Sequence, residues 1–78
     1  MSAKDKIAYE RIQAPVKFFA HERGYGFIKR PNKPDIWFTS KALERAGVSS
    51  VNENDMLEFD LVPVPGKGGK AINIKVVK

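Results

Sequence analysis

The chain has 78 residues, a net charge of +5 at pH 7 and no cysteine. This length allows one small domain, near the lower size limit for a core that is stable without disulfides or a bound metal. The absence of cysteine excludes disulfides and thiolate metal sites. No apolar run approaches the roughly 20 residues of a membrane span, and Met1–Lys6 lacks the apolar stretch of a secretory signal. We therefore expect a cytoplasmic protein without membrane contact. We also expect no metal and no cofactor.

The first fourteen residues differ from the rest of the chain. Ile7, Ala8, Arg11 and Ile12 lie at helical spacing, and Pro15 would end such a helix. Because a helix this short is marginal alone, a polar tail is an equal alternative. We therefore expect residues 1–14 to be an extension and residues 15–78 to be the folded domain, which should survive deletion of the extension. A monomer is expected, unless the extension joins two copies.

From residue 15 onward, apolar and polar residues alternate with the period of β-strands. The predicted strands are Val16–Ala20, Tyr25–Arg30, Ile36–Thr39, Met56–Val62 and Ile72–Val76. Ser40 can cap one short helix that Gly47 ends. The pattern predicts an all-β domain with little helix and no internal repeat.

The second and third strands carry aromatic residues on one face. Alternation sends three apolar residues to the core: Ile28, Ile36 and Phe38. Tyr25, Phe27 and Trp37 must then lie outside, and the glycines beside them are expected to let the backbone approach a ligand. Exposed rings favour a flat apolar partner such as a nucleobase. The alternative is that these rings are also buried, under the N-terminal segment.

The charges are unevenly distributed along the chain. Residues 16–39 carry five cations and two acids, and the chain from Leu61 onward carries four lysines and no acid. Asn52–Asp60 carries four acids and no cation. A barrel built from these segments would be basic on one surface and acidic elsewhere, which suits a polyanionic partner, although a charge of +5 is also ordinary for solubility.

One segment matches most of a known RNA-binding octapeptide. Arg23–Arg30 reads RGYGFIKR against K/R-G-F/Y-G/A-F-V-x-F/Y, with Arg30 in place of the final aromatic residue. The RNA recognition motif itself needs two substantial helices and an aromatic strand upstream. This chain has its second aromatic run downstream, and its sequence therefore fits the RNA recognition motif fold poorly.

The order and spacing of three blocks instead resemble the cold-shock domain. The family pattern is roughly V-K-W-F-N, K-G-F-G-F-I and D-V-F-V-H-F, where this chain has Val16–Ala20 (VKFFA), Arg23–Ile28 (RGYGFI) and Asp35–Ser40 (DIWFTS). The resemblance covers residues 15–78. It implies a five-stranded antiparallel barrel of the oligonucleotide-binding (OB) type. It also implies a protein that binds single-stranded RNA or DNA with little sequence preference, as an RNA chaperone or a regulator of transcription or translation.

The resemblance also implies the site, residue by residue. The implied residues are the rings Phe18, Tyr25, Phe27 and Trp37, the cations Lys17, Arg23, Lys29, Lys67 and Lys70, and Thr39. The chain departs from the family where Thr39 and Ser40 replace a histidine and a phenylalanine, which removes two stacking side chains. Ala20 replaces an asparagine and loses a polar contact. We expect a narrower site than the family norm.

Two other functions stay open on the same fold, and catalysis is not expected. The first is a protein-interaction module that binds the transcription or translation machinery, which the changes at Thr39 and Ser40 favour. The second is a binder of structured RNA, of the initiation-factor type. His21 is the only histidine and has no partner at a catalytic spacing, and Gly66–Ala71 lacks the spacing of a P-loop.

Overall fold

The structure, a computed structural model, describes residues 9–77 and contains five strands and one helix. The elements are β1 (Glu10–Ala20), β2 (Tyr25–Arg30), β3 (Lys33–Thr39), α1 (Ser40–Arg45), β4 (Met56–Val62) and β5 (Lys70–Val76). The strands form a closed barrel in the order β1-β2-β3-β5-β4, which confirms the predicted all-β barrel. Neighbouring strands are antiparallel except for the β3–β5 pair that closes the barrel, which is parallel.

The first strand begins at Glu10, and the prediction that it begins at Val16 is wrong. Residues 10–15 pair with β4, from Glu10 opposite Leu61 to Pro15 opposite Met56, and the rest of β1 pairs with β2. The expected boundary between residues 14 and 15 therefore falls inside β1. The helix considered for this segment does not exist over residues 10–14, and Ile7 lies outside the described residues.

Pro15 does not interrupt β1, because of the direction in which its nitrogen points. The N–H of Val16 donates to the carbonyl of Asp55, just before β4, at 2.9 Å. Successive N–H groups of a strand point to opposite sides, so the nitrogen of Pro15 faces away from β4 and costs no bond to it. A proline is tolerated in a strand at such a position.

The core lies inside the barrel and is made of small and branched apolar side chains around two phenylalanines. Its buried members are Ala14, Val16, Ile28, Ile36, Phe38, Leu43, Val51, Leu57, Phe59, Ala71 and Ile74. The predicted core residues of β2 and β3 are among them, at 0% exposure. The outer face of these two strands is therefore left for other contacts.

A bulge in β5 changes which of its side chains face the core. In a regular strand, Ile72, Ile74 and Val76 would share one face. In the structure, Asn73 has a left-handed backbone with φ of 52°, and the register between β4 and β5 shifts there. The extra residue reverses the alternation, so Ala71 and Ile74 are buried while Ile72 turns outward.

A polar network ties β1 to β4 and β5 on the outside of the barrel. Arg11 donates from Nε to Glu58 at 2.9 Å, and from Nη1 to the Asp60 carboxylate at 3.1 Å and the Asn73 carbonyl at 2.7 Å. Gln13 also donates to Glu58, at 3.1 Å. The hydrogen bond from Arg11 holds the pKa of Glu58 below its ordinary value. Hydrogen bonds from Asn73 and then Arg11 lower the pKa of Asp60.

Helix α1 begins one residue earlier than expected and is capped by Thr39. The Thr39 Oγ1 accepts a hydrogen bond from the Ala42 N–H at 3.2 Å, whereas the N–H of Ser40 donates to the Gly24 carbonyl. Leu43 anchors the helix in the core. Within the part of the chain that the structure describes, no helix is long and apolar enough to cross a membrane.

Candidate nucleic-acid interface

Four aromatic rings lie together on the outer face of β1, β2 and β3, and we call this group the aromatic surface: Phe18, Tyr25, Phe27 and Trp37. Phe27 is directly opposite Phe18 on one side and Trp37 on the other. Directly opposite residues project to the same face of a sheet. The ring centroids are 5.4 Å apart for Phe18 and Phe27, and 5.8 Å apart for Tyr25 and Phe27. Phe18, Phe27 and Trp37 therefore form a row across three strands by register, in which the rings of Phe18, Tyr25 and Phe27 are in contact.

The aromatic surface is open to solvent at both ends of the row. Phe18 is 41% and Trp37 is 39% exposed, while Phe27 between them and Tyr25, two residues along β2, are half-buried. Residues 10–14, which were considered as a cover, instead pair with β4. Large exposed rings on a flat sheet are suited to stacking against planar ligands.

Gly26 serves the core rather than the ligand, contrary to expectation. It lies between Tyr25 and Phe27, so a side chain at this position would point inward. A Cβ there would come within 2.5 Å of the Phe38 ring and 2.7 Å of the Phe18 carbonyl. The missing side chain therefore lets Phe38 pack under β2, which holds the sheet that carries the rings.

The β4–β5 loop closes the barrel beside Trp37 and brings Lys70 to the aromatic surface. The N–H of Trp37 donates to the Gly69 carbonyl at 2.9 Å, and Gly68 passes so close to the carbonyls of Pro34 and Asp35 that only glycine fits. Lys70 pairs with Trp37 across the strands, and its Nζ lies 5.2 Å from the ring centroid. A cation at this distance interacts with the π-face of the ring.

The remaining predicted cations lie on the strands that carry the rings and in two of the turns. Lys17 and Lys29 are exposed on the strands that carry the rings. Arg23 is exposed in the β1–β2 turn, where its N–H donates to the Ala20 carbonyl. Lys67 lies in the β4–β5 loop, at the end of a turn closed by its N–H bond to Val64. The structure thus brings Lys70 onto the rings and places Lys67 in the turn that precedes it.

Asp35 is a member of this surface for which the sequence suggested no role. Its carboxylate accepts a hydrogen bond from Lys17 Nζ at 2.9 Å, forming an ion pair that spans β1 and β3. A β1 bulge between Val16 and Phe18 lets Lys17 share the outer side with Phe18. The bulge was not visible in the sequence, so the pairing of residues 17 and 35 was not predicted. Lys17 is thus held in place, partly neutralised, beside the rings.

Thr39 belongs to both the aromatic surface and α1. It lies directly opposite Tyr25 in the β2–β3 pair, and its hydroxyl oxygen accepts the capping bond from Ala42. The hydroxyl proton can still be donated to a ligand. Thr39 therefore starts a helix and adds no ring to the aromatic surface.

The acidic strand β4 is separated in the barrel from β2, which carries two of the rings. β2, with its flanking cations, and β4 are not neighbours in the closed strand order. The carboxylates of Glu58 and Asp60 on β4 are paired with Arg11 in the first half of β1. The acidic segment therefore does not flank β2, the central strand of the aromatic surface.

Comparison with known proteins agrees with this geometry. Residues 12–77 match the family model described as 'Cold-shock' DNA-binding domain. The chain is 35% identical over 63 residues to cold shock-like protein CspC of Bacillus cereus, covering 81% of this chain and 95% of that protein. It is also 35% identical to cold shock protein CspC of Bacillus subtilis, covering 81% and 94%. A cold shock-like protein of Thermotoga maritima is 31% identical over 67 residues, covering 86% of this chain and all of that protein.

Proposed function

The chain belongs to the cold-shock domain family of nucleic-acid-binding proteins, and we propose that it binds single-stranded RNA or DNA with little sequence preference. Unpaired bases would stack on the aromatic surface, while the neighbouring cations neutralise the phosphates that join them. Strand binding rather than catalysis would be the activity.

The observation that carries this proposal is the set of four rings on one face of three neighbouring strands, of which Phe18 and Trp37 are exposed. Stacking of a base on an aromatic side chain contributes about 1–3 kcal/mol, and every base offers a π-face. Three or four rings can therefore support useful affinity without reading base edges. A double strand offers no free π-faces except at its ends, so the surface favours unpaired strands.

The cellular role that follows is that of an RNA chaperone or of a regulator acting on unpaired strands. A protein that occupies single strands opposes hairpin formation, since hairpins need the same bases to pair. It would thereby influence transcription or translation without a catalytic step. The retained row of rings favours this role over a protein-interaction module, because a protein partner has no general need for a row of stacking platforms.

The fluorescence of Trp37, the only tryptophan, provides the test. A short pyrimidine-rich single strand should quench the emission in a saturable manner, and a duplex of equal length should compete poorly. The titration is repeated with RNA and DNA, with several base compositions and at several salt concentrations. Unchanged emission, together with unchanged anisotropy of a labelled strand at saturating protein, would contradict the proposal.

A further inference from the structure

A groove runs between α1 and β5, next to the aromatic surface but outside it. Its volume is about 560 Å³, and three of the side chains that line it are cationic: Lys41, Arg45 and Lys70. The groove is thus of the size of clefts that accept a small ligand or one unit of a polymer. The aromatic surface, as described above, does not use Lys41 or Arg45.

The bulge in β5 creates the apolar floor of this groove. Ile72 lines it because the bulge at Asn73 turns that side chain outward. On the opposite wall, the small side chains of Ala42 and Ala46 leave the space open. The groove is therefore apolar at its base and basic at its edges. This arrangement is complementary to a nucleotide, whose phosphate is anionic and whose remaining parts are uncharged.

Two cations of the groove, Lys41 and Arg45, lie on one face of α1, and none of its three cations forms an ion pair within the described residues. Lys41 and Arg45 are four residues apart on α1, so they lie on the same face of the helix. Within residues 9–77, the ion pairs are made by Arg11 and Lys17, and no acidic residue lines the groove. A concave surface with charges of one sign concentrates the opposite charge, so its occupant should be a polyanion.

The groove is continuous with the aromatic surface through two residues. Lys70 lies over the Trp37 ring and also lines the groove. Thr39 lies opposite Tyr25 on β2 and lines the groove as well. A strand that stacks on Trp37 and continues past Lys70 therefore enters the groove directly. This continuity favours the same nucleic acid over a separate acidic protein segment.

We propose that the groove between α1 and β5 is a second segment of the nucleic-acid site, which holds the sugar-phosphate backbone of a single strand beyond Trp37. This inference rests on the proposed function. Its consequence is that the contribution of the groove to affinity depends on the length of the strand. A strand of about 4 nucleotides, the short end of the range for one OB fold, would occupy the rings alone, and one of about 8 would also reach the groove.

The test compares the affinities of labelled deoxythymidine strands of about 4 and about 8 nucleotides. The double variant Lys41→Gln/Arg45→Gln should weaken binding of the longer strand about fivefold to tenfold, as expected for two surface charge contacts. Its salt slope for that strand should decrease by about 1.4, at about 0.7 for each lost contact. Binding of the shorter strand should stay within about twofold of the unmodified protein.

Two controls separate the groove from charge in general. Lys75→Gln removes one cation of β5 that lies opposite Glu58 and outside the groove, and it should leave the length dependence intact. The single variants Lys41→Gln and Arg45→Gln each remove one charge and are therefore matched in charge to Lys75→Gln. Lys41→Arg/Arg45→Lys keeps both charges and should behave as the unmodified protein. Equal melting temperatures establish that the variants are folded.

The outcomes distinguish this inference from the proposed function. An unchanged affinity of the double variant for the longer strand, or an equal loss for both lengths, would overturn the groove assignment alone. If the double variant keeps both strands but loses a polyglutamate peptide that the unmodified protein binds, the groove takes acidic protein segments instead. Failure of the unmodified protein to bind either strand would overturn the proposed function and this inference together.

Discussion

Lys70 lies directly across the closing strands from Trp37, with its ammonium nitrogen 5.2 Å from the centroid of the indole ring. The contact joins the two forces that single-strand binding needs, since the ring offers a stacking face and the ammonium offers a phosphate partner. The parallel β3–β5 pair brings residues 37 and 70 together, although they are far apart in the sequence. The contact thus depends on closure of the barrel.

The variant Lys70→Gln should therefore affect both Trp37 and the ligand. Loss of the cation should change the emission of the free protein, weaken single-strand binding and lower the salt slope by about 0.7, the value for one phosphate contact. Tryptophan emission and a salt titration measure these effects. Lys67→Gln, which removes the same charge from the loop that precedes β5, should leave the emission of the free protein unchanged. If the two variants behave alike, the contact of Lys70 with Trp37 has no part in binding.

Trp37→Leu should weaken binding by about 1–3 kcal/mol, the loss of one stacked base, with little change in melting temperature because the side chain is 39% exposed. Anisotropy of a labelled strand measures the affinity, since the variant has no tryptophan. Met56→Leu is the matched control, because Met56 is 38% exposed and lies on β4. A large drop in the melting temperature of Trp37→Leu would show that the ring supports the fold instead.

The faces of the rings on β2 and β3 could be predicted because strand alternation alone decides them, whereas Phe18 lies outside only because of the bulge in β1. Once Ile28 and Phe38 are assigned to the core, the rings of Phe27 and Trp37 have only the outer face available. The bounds of β2 and β4 followed from the same pattern. No knowledge of strand order was needed for these predictions.

Other features depend on backbone geometry that residue types do not reveal. Asn73 adopts a left-handed backbone, which asparagine tolerates better than most residues, yet nothing around it in the sequence indicates a bulge. Pro15 suggested the start of the first strand, although the strand passes through it. The role of Gly26 depends on the position of the Phe38 ring, which only the packed barrel defines.

Gly26→Ala should destabilise the barrel. The new methyl group would overlap the Phe38 ring and the Phe18 carbonyl, and overpacking of this kind costs about 1–3 kcal/mol. For a domain of this size, each kcal/mol lowers the melting temperature by about 4–8 °C. Gly47→Asn is the control, since a side chain there meets open space and asparagine tolerates its φ of 78°. Equal melting temperatures for the two variants would contradict the packing role of Gly26.

The network around Arg11 should make the thermal stability of the protein depend on pH. The pKa values of Glu58 and Asp60 are lowered from their ordinary 4.5 and 3.8, so their contribution is present above those values and is lost as the pH falls below them. Arg11→Met removes the charged partner of both carboxylates. The variant should therefore melt at a lower temperature near pH 7, and the difference should shrink as the pH falls from about 5 toward 3.

Thermal melts across this pH range measure the effect, with Arg45→Met as the control. Arg45 has no carboxylate partner among the described residues, so its variant should parallel the unmodified protein at every pH. A constant difference between the unmodified protein and Arg11→Met over the whole range would show that packing, and not the ion pairs, accounts for the contribution of Arg11.

Removal of residues 1–14 should damage the barrel, which reverses the expectation from the sequence. These residues include the half of β1 that pairs with β4, the buried Ala14 and the network around Arg11. A chain that starts at Pro15 would lose several backbone hydrogen bonds, each contributing about 1 kcal/mol, and would leave the β4 edge open. A chain that starts at Tyr9 keeps all of β1 and should form the barrel. Circular dichroism melts of the two truncated chains decide the matter, and equal stability would mean that residues 10–14 add nothing to the fold.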